Sequence, residues 1–143
     1  MGFIRVNIYD SKINTGKNKL AKYYKFNLID KIVENGYNII IDTVGDQFLF
    51  NVALKSLKMM GHYLLPSTYI SEELIFPVSY IAKRELKIMG LFEPSWEIGR
   101  VLKFIKNLDL SIIEDEEIYT IDNFREAIER LESDELANVV IKP

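Results

Sequence analysis

The sequence of 143 residues contains no cysteine and a single histidine. Without thiols it can form no disulfide, iron–sulfur site, thiolate zinc site or cysteine nucleophile. One imidazole cannot build a zinc site, so we interpret His62 as a structural histidine. We therefore expect no metal site and assign no catalytic residue.

The sequence also has no excess of basic residues and no long apolar run. The formal net charge is −3, which argues against a nucleic-acid partner. No run approaches the roughly 18–20 apolar residues of a membrane span, and the first residues do not resemble a signal peptide. We expect a cytoplasmic protein with no membrane partner. The acidic residues 114–117 lack the spacing of a calcium loop, which favours a solvated loop.

What the chain does contain is an alternation of strand-like and helix-like segments. Uninterrupted apolar stretches, which are typical of strands covered on both faces, predict strands at residues 3–9, 38–43, 63–65, 86–92 and 139–141. Apolar residues at helical spacing predict helices at residues 20–33, from Asp46 to a terminating Gly61, from Ser95 to Ile105, and after Asp122. This order predicts an α/β fold with a parallel sheet and helices on both sides.

In such sheets, ligands bind beyond the carboxyl ends of the strands. Here those ends are Asp10, residues 43–45, residues 65–67 and residues 91–92. Ser67 and Thr68 have no base nearby in the sequence, so a role as nucleophile is not expected.

Four segments follow one another in a recognisable order: residues 4–10 (IRVNIYD), 37–45 (YNIIIDTVG), 57–66 (LKMMGHYLLP) and 124–143 (FREAIERLESDELANVVIKP). Together they resemble the nucleotide-binding domain of the medium-chain dehydrogenase/reductase family, the zinc alcohol dehydrogenase type. The resemblance implies a Rossmann-like, mostly parallel sheet flanked by helices and truncated at its N-terminus. Residues 1–110 would form an incomplete dinucleotide-binding domain, and residues 111–143 the strand–helix–strand segment that returns to the catalytic domain.

The chain departs from the family pattern in several places. Only nine residues precede Asp10, and the seven glycines form no G-x-G, so the glycine-rich phosphate loop is missing. Met60 and Pro66 stand where the family commonly has glycine, and the stretch between Tyr24 and Leu28 looks too short for the usual third strand. The zinc ligands are absent as well. We therefore expect NAD binding that is weak or lost, and no zinc.

The resemblance assigns roles to residues at the strand ends. Asp10 would accept hydrogen bonds from the adenosine ribose, and the backbone of Thr43, Val44 and Gly45 would line the ribose and the nicotinamide. Four further residues would frame the nicotinamide: Leu65, Pro66, Leu91 and Phe92. Simpler interpretations remain open. Asp10 is equally typical of a turn, and residues 43–45 are typical of a strand-to-helix turn. The four apolar residues could be no more than the ends of strands.

The resemblance implies an alcohol dehydrogenase-like, NAD(P)-dependent oxidoreductase whose family reaction is hydride transfer between a nicotinamide and an alcohol or carbonyl carbon. We expect this chain to be inactive alone and to associate as a homo-oligomer or with a separately encoded N-terminal half. The alternative is a non-catalytic association module with the same fold, using sheet edges and residues 86–92. A third hypothesis is an adenine-nucleotide-binding module that depends on Asp10.

Overall fold

The computed structural model describes residues 5–10, 15–66, 73–91, 98–107, 109, 117–133 and 139–142. The chain divides into two compact units, residues 1–30 with 99–143, and residues 31–98. Each unit has its own parallel strands and helices, which confirms the predicted α/β class. The predicted boundary at residue 110 stays a prediction.

The second unit is a continuous run of alternating strands and helices. Its elements are β3 (Tyr37–Ile41), α2 (Gln47–Ser56), β4 (Leu57–Pro66), α3 (Val78–Lys83) and β5 (Lys87–Leu91). The three strands form a parallel sheet in the order β3-β4-β5, with Ile40, Tyr63 and Ile88 side by side. On that face the strands pack against a core in which Phe50, Leu54, Leu57 and Tyr63 are buried.

The opposite face of this sheet exposes several apolar side chains beside His62 and Lys87. Because side chains alternate along a strand, Ile39 and Ile41 point away from the core, and they are 58% and 61% exposed. Met89 and Leu91 lie on the same face at 44% and 45% exposure. The expectation that the strand around Ile39–Ile41 is covered on both faces is therefore wrong. We call this surface the open face.

The first unit contains elements from both ends of the chain. These are β1 (Asn7–Tyr9), α1 (Thr15–Tyr23), β2 (Asn27–Ile29), β6 (Ile118–Thr120), a 3₁₀ turn (Ile121–Asn123), α5 (Phe124–Glu132) and β7 (Val140–Lys142), with most of α4 (Ile98–Ile105). β1 pairs in parallel with β2, and β6 in parallel with β7. Ala21, Tyr119 and Ala127 are its buried apolar residues among those described.

The strand β2 corrects two expectations. The helix predicted over residues 20–33 ends at Tyr23, and Asn27–Ile29 forms the strand for which the intervening stretch looked too short. Lys25 reverses the chain in the left-handed conformation, with φ 57°, so three residues suffice to leave the helix and enter the strand. The Phe26 amide then donates to the Ala21 carbonyl oxygen at 2.8 Å, which closes the turn.

The strand β4 corrects a third expectation, because α2 ends at Ser56 and Gly61 lies inside the strand that follows it. The register shifts between Tyr37 and Ile39, so β4 carries extra residues opposite β3. A Cβ at Gly61 would lie 2.8 Å from the Lys58 carbonyl oxygen and 3.0 Å from a Leu57 methyl carbon. Glycine is needed here because the bulge folds the strand tightly back on itself.

Met60 occupies the same bulge in a conformation that suits glycine, with φ 62°. The left-handed conformation costs a residue with a Cβ about 1–2 kcal/mol. Glycine avoids this cost, but part of the gain is lost because glycine raises the conformational entropy of the unfolded chain. We expect Met60→Gly to raise the free energy of unfolding by about 0.5–1 kcal/mol, measured by urea denaturation. Met59, equally exposed and without positive φ, is the control. Met59→Gly should destabilise by about 0.5–1 kcal/mol, and equal effects of the two changes would contradict the assignment.

In the first unit, the Glu117 carboxylate accepts hydrogen bonds from the Tyr119 hydroxyl and the Arg130 guanidinium, which joins β6 to α5. The Tyr119 hydrogen bond, aided by the Arg130 charge, lowers the pKa of Glu117. The same hydrogen bond raises the pKa of Tyr119. A lowered carboxyl pKa gives stability that is present above the unfolded pKa of about 4.3 and lost as the pH falls through the folded value.

We therefore expect the melting temperature of the wild type to exceed that of Glu117→Gln near neutral pH, and the gap to close as the pH falls below about 4. The raised pKa of Tyr119 also contributes stability, but this contribution is present at lower pH and is lost only as the pH rises above about 10. Glu129→Gln, on an exposed position of α5, serves as control. A gap that stays constant down to pH 3 would contradict the role of this group.

Candidate functional site

The carboxyl end of β1 carries the first predicted site residue. Asp10 follows Tyr9 directly, and its side chain is 32% exposed. Its carboxylate accepts a hydrogen bond from the ammonium group of Lys17 in the first turns of α1, with 2.7 Å between Nζ and Oδ2. A carboxylate is an acceptor group, and the ion pair with Lys17 holds this one at the end of the strand.

An apolar cavity of about 380 Å³ extends from this ion pair between α1 and the strands β1 and β2. Beyond Asp10 and Lys17, its lining is apolar or aromatic: Ile8, Leu20, Ala21, Tyr24, Phe26 and Leu28. The Tyr24 and Phe26 rings are stacked, with centroids 6.0 Å apart and planes inclined at 29°. The volume lies within the range of about 300–1,000 Å³ that is usual for small-ligand sites.

In the second unit, residues 43–45 form the turn between β3 and α2. Thr43 and Val44 are exposed, whereas Gly45 is buried and adopts φ 74°, which favours glycine. The structure thus contains the strand-to-helix turn that the simpler interpretation describes. α2 begins directly after it, with the Asp46 carboxylate accepting from the Leu49 amide at 2.8 Å as the N-cap.

A buried carboxylate fixes this turn. Asp42 is 8% exposed and accepts hydrogen bonds from the Val44 amide at 2.8 Å and the Gly45 amide at 3.0 Å. The hydroxyl of the fully buried Tyr63 donates to its other oxygen. The Asp42 amide in turn donates to the Leu64 carbonyl oxygen at 3.1 Å, so the turn is attached to β4 as well. The backbone of residues 43–45 is therefore held in one conformation before any ligand binds.

The ends of β4 and β5 lie at the same end of the sheet as this turn. Leu65 pairs with Gly90, and Pro66 pairs with Leu91. The side chain of Leu65 packs against the core, whereas Leu91 is exposed. The second unit thus brings together residues 43–45, Leu65, Pro66 and Leu91 at the end of the sheet that holds the carboxyl ends of its strands. Phe92 lies outside the described residues.

Sequence reasoning did not single out Asp42, Tyr63 or Lys17. Asp42 had a local signal, because an aspartate that accepts hydrogen bonds from backbone amides two and three residues later is typical of a turn. Tyr63 had none, since its hydroxyl reaches Asp42 from 21 residues away. His62 is half-buried at the amino-terminal side of the β4 pairing, next to Ile39 and Lys87.

The other predicted features concern metals, nucleophiles and membranes. Ser67, Thr68 and residues 114–116 lie outside the described residues. Within the described ranges, no group of three or more histidine, aspartate or glutamate side chains is placed to hold a metal ion. Among the described helices, none has the length and apolarity to cross a membrane.

No protein-family model matches the sequence, and no curated protein does. Solved structures do match its fold. Acetophenone reductase from Geotrichum candidum, determined in complex with NAD, is 22% identical with a TM-score of 0.69, over 97% of this chain and 41% of its own. The alcohol dehydrogenase of Aeropyrum pernix is 22% identical with a TM-score of 0.68, over 97% and 43%.

The 2R,3R-butanediol dehydrogenase of Bacillus subtilis has a TM-score of 0.76 at 14% identity, over 96% of this chain and 44% of its own. The chain thus spans about two fifths of the length of the dehydrogenases it matches. Identities this low establish the fold alone. The chain has the Rossmann-like fold found in part of these enzymes, which confirms at the level of the fold the resemblance seen in its sequence.

Proposed function

We propose that this chain is the nucleotide-binding part of an alcohol dehydrogenase-like oxidoreductase and that Asp10 binds the adenosine ribose of NAD. The observation that carries the proposal is the position of Asp10, a partly exposed carboxylate at the carboxyl end of a parallel strand, in a chain with this fold. Ribose hydroxyls are donors that a carboxylate accepts well, whereas the additional phosphate of NADP would be repelled by it.

The residues of the second unit would contribute shape rather than charge. The turn of residues 43–45 offers backbone groups already fixed by Asp42, and Pro66 and Leu91 offer an apolar border at the neighbouring strand ends. Phe92 is proposed for the same role from the family resemblance. Bound NAD supplies the hydride chemistry, and the chain's own residues bind and orient it.

Two features of the sequence limit what the chain does alone. It has no G-x-G, so a glycine-rich loop and helix N-terminus do not cradle the pyrophosphate, and we expect a dissociation constant in the millimolar range. It also has no cysteine to provide a zinc thiolate. We propose that hydride transfer requires a separately encoded N-terminal half, which can be tested by mixing the two polypeptides and following NADH formation with an alcohol.

NAD binding is the decisive measurement. Titration of NAD into the wild type, followed by NMR shifts of backbone amides, should be compared with Asp10→Asn and with Asp30→Asn, an exposed aspartate of the same unit. We expect Asp10→Asn to weaken binding about tenfold, as loss of a charge-assisted hydrogen bond does, and Asp30→Asn to change it less than twofold. Equal affinity in all three proteins, or no saturable binding by the wild type, would refute the proposal.

A second candidate function is self-association in the cytoplasm, and the open face favours it. Ile39 and Ile41 are more than half exposed on β3, whose side chains carry no charge that would oppose pairing with a second copy. Sedimentation velocity at micromolar concentration should give a dimer or larger species, and Ile39→Lys should shift it toward monomer. Val78→Lys, at a position 70% exposed on α3, is the control. A wild type that sediments as a monomer would rule this function out.

A further inference from the structure

The turn that precedes β3 contains an asparagine followed by a glycine, Asn35 and Gly36, and both residues are exposed. An asparagine in this position loses ammonia more readily than other asparagines, because glycine has no Cβ to shield its amide nitrogen from the asparagine side chain. None of the other asparagines in the sequence precedes a glycine. Asn35 is therefore the asparagine of this chain that is most prone to deamidation.

The backbone of the turn favours both residues of this pair. Asn35 has φ 53°, in the left-handed region that asparagine enters more readily than most residues with a Cβ. A Cβ at Gly36 would lie 3.0 Å from the Val33 carbonyl oxygen and 3.4 Å from the Val33 Cβ, which is a tight approach for a larger residue. The geometry of the turn thus favours the two residues that also make it chemically reactive.

Deamidation of this pair takes two steps and needs only water. The Gly36 amide nitrogen gives up its proton to the solvent and attacks Cγ of Asn35. The new C–N bond closes a succinimide while the Cγ–Nδ2 bond breaks, and Nδ2 leaves as ammonia after taking up a proton from water. Water then adds to either imide carbonyl carbon, which produces an aspartate or an isoaspartate at position 35.

In the folded chain, hydrogen bonds hold both reacting groups. The Gly36 amide donates to the Ser56 carbonyl oxygen at 2.9 Å, so its nitrogen is not available for attack until this hydrogen bond opens. The Arg84 guanidinium donates to Oδ1 of Asn35, which fixes the orientation of the side-chain amide. The Asn35 backbone amide donates to the Lys55 carbonyl oxygen at 3.1 Å, so the turn is attached to the end of α2 at two successive residues.

Arg84 is itself fixed at the end of α3. Its Nη2 also donates to the Leu57 carbonyl oxygen at 2.7 Å, and its guanidinium lies over the Tyr80 ring at 5.5 Å from the ring centroid. Its own carbonyl oxygen accepts from the Met60 amide at 2.9 Å. The side chain that holds Asn35 is therefore anchored to β4 and α3 within the same unit.

We propose that Asn35 is a site of spontaneous deamidation, and that Arg84 and the Ser56 carbonyl group keep it unreactive until the turn opens. Modification then proceeds from a locally opened state, and its rate measures how often the turn is open. An isoaspartate would add one carbon atom to the backbone before Tyr37, whose pairing with Leu57 begins the contact between β3 and β4. Deamidation here would therefore disturb the register of the sheet as well as add a negative charge.

Mass spectrometry of tryptic peptides measures the rate of ammonia loss on the whole chain in mildly alkaline buffer. We expect Asn35 of the wild type to react at least about tenfold more slowly in buffer than in urea, because the reactive conformation is reached only by local opening. Asn38 lies on the same peptide and is followed by isoleucine, so it serves as the internal control and should stay unmodified.

Three variants test the role of Arg84. Arg84→Gln removes the charged hydrogen bond to Asn35 and should raise the rate in buffer about tenfold. Lys83→Gln, at the exposed neighbouring position, should change the rate less than about twofold. Asp46→Ala lowers the stability of the same unit through another helix end, and it should also stay within about twofold of the wild type. Circular dichroism verifies that each variant is folded in buffer.

Each part of the inference has an outcome that overturns it. Absence of ammonia loss at Asn35 in urea would refute the site, and equal rates in buffer and urea would refute its protection by the fold. The role of Arg84 is refuted if Arg84→Gln reacts no faster than the wild type. It is also refuted if Asp46→Ala reacts as fast as Arg84→Gln, because the rate would then follow the overall stability of the unit.

Discussion

Replacing Phe50 by alanine is expected to destabilise the second unit by about 3–5 kcal/mol, as truncation of a fully buried aromatic side chain usually does. Phe50 is 0% exposed, and its ring packs edge-on against Tyr63 and Phe76, with centroids 5.2 Å and 5.1 Å away. The loss leaves a cavity under Tyr63 as well as removing apolar contact. Because small domains are stable by only about 5–15 kcal/mol, this change removes much of the total.

Urea denaturation followed by circular dichroism measures the effect. The matched control is Phe48→Ala, two residues earlier in α2, where the side chain is 73% exposed. That change should alter the free energy of unfolding by no more than about 0.5 kcal/mol. If the two alanine variants lose similar stability, Phe50 does not occupy the core as described.

The second large effect is expected at Asp42. Alanine at this position removes three hydrogen bonds at once, those from the Val44 and Gly45 amides and from the Tyr63 hydroxyl. Each buried donor that loses its acceptor costs about 1–3 kcal/mol, and the Gly45 amide and Tyr63 hydroxyl are both in buried residues. We therefore expect Asp42→Ala to lower the free energy of unfolding by about 3 kcal/mol, as measured in urea.

Two variants make the expectation specific. Asp46→Ala removes the nearby carboxylate that accepts a single amide hydrogen bond, and should cost about 1 kcal/mol. Asp42→Asn keeps an acceptor for the two turn amides, so it should recover a large part of the loss. Were Asp42→Ala no worse than Asp46→Ala, the buried carboxylate would not be what holds the turn.

Much of the fold followed from the sequence where the signal was local. The apolar run at Ile39–Ile41, the N-cap at Asp46 and the amphipathic segment after Asp122 all correspond to elements of the structure. The strand β2 did not follow, because Leu28 and Ile29 fit the helical spacing of α1 and their pairing partners in β1 lie 20 residues away. Helical periodicity is a local property, whereas parallel pairing is decided by distant parts of the chain.

The candidate site divides in the same way. Asp10 and residues 43–45 could be found because strand ends and turns have sequence signals. The groups that hold them, Lys17 for Asp10 and Tyr63 for Asp42, could not, since each reaches its partner through the tertiary fold. The open face was missed for a related reason, because an apolar strand indicates a surface that prefers to be covered and does not reveal whether anything covers it.

The two compact units differ in how the chain contributes to them, and this sets an order for their formation during translation. Residues 31–98 are contiguous, so the second unit can fold as soon as that stretch has left the ribosome. The first unit combines residues 1–30 with 99–143, and its early part must wait, incomplete, until the later part has been synthesised. A nascent chain whose residues up to 98 have left the ribosome would therefore carry one finished unit, while β1, α1 and β2 would still lack the part of their unit that residues 99–143 supply.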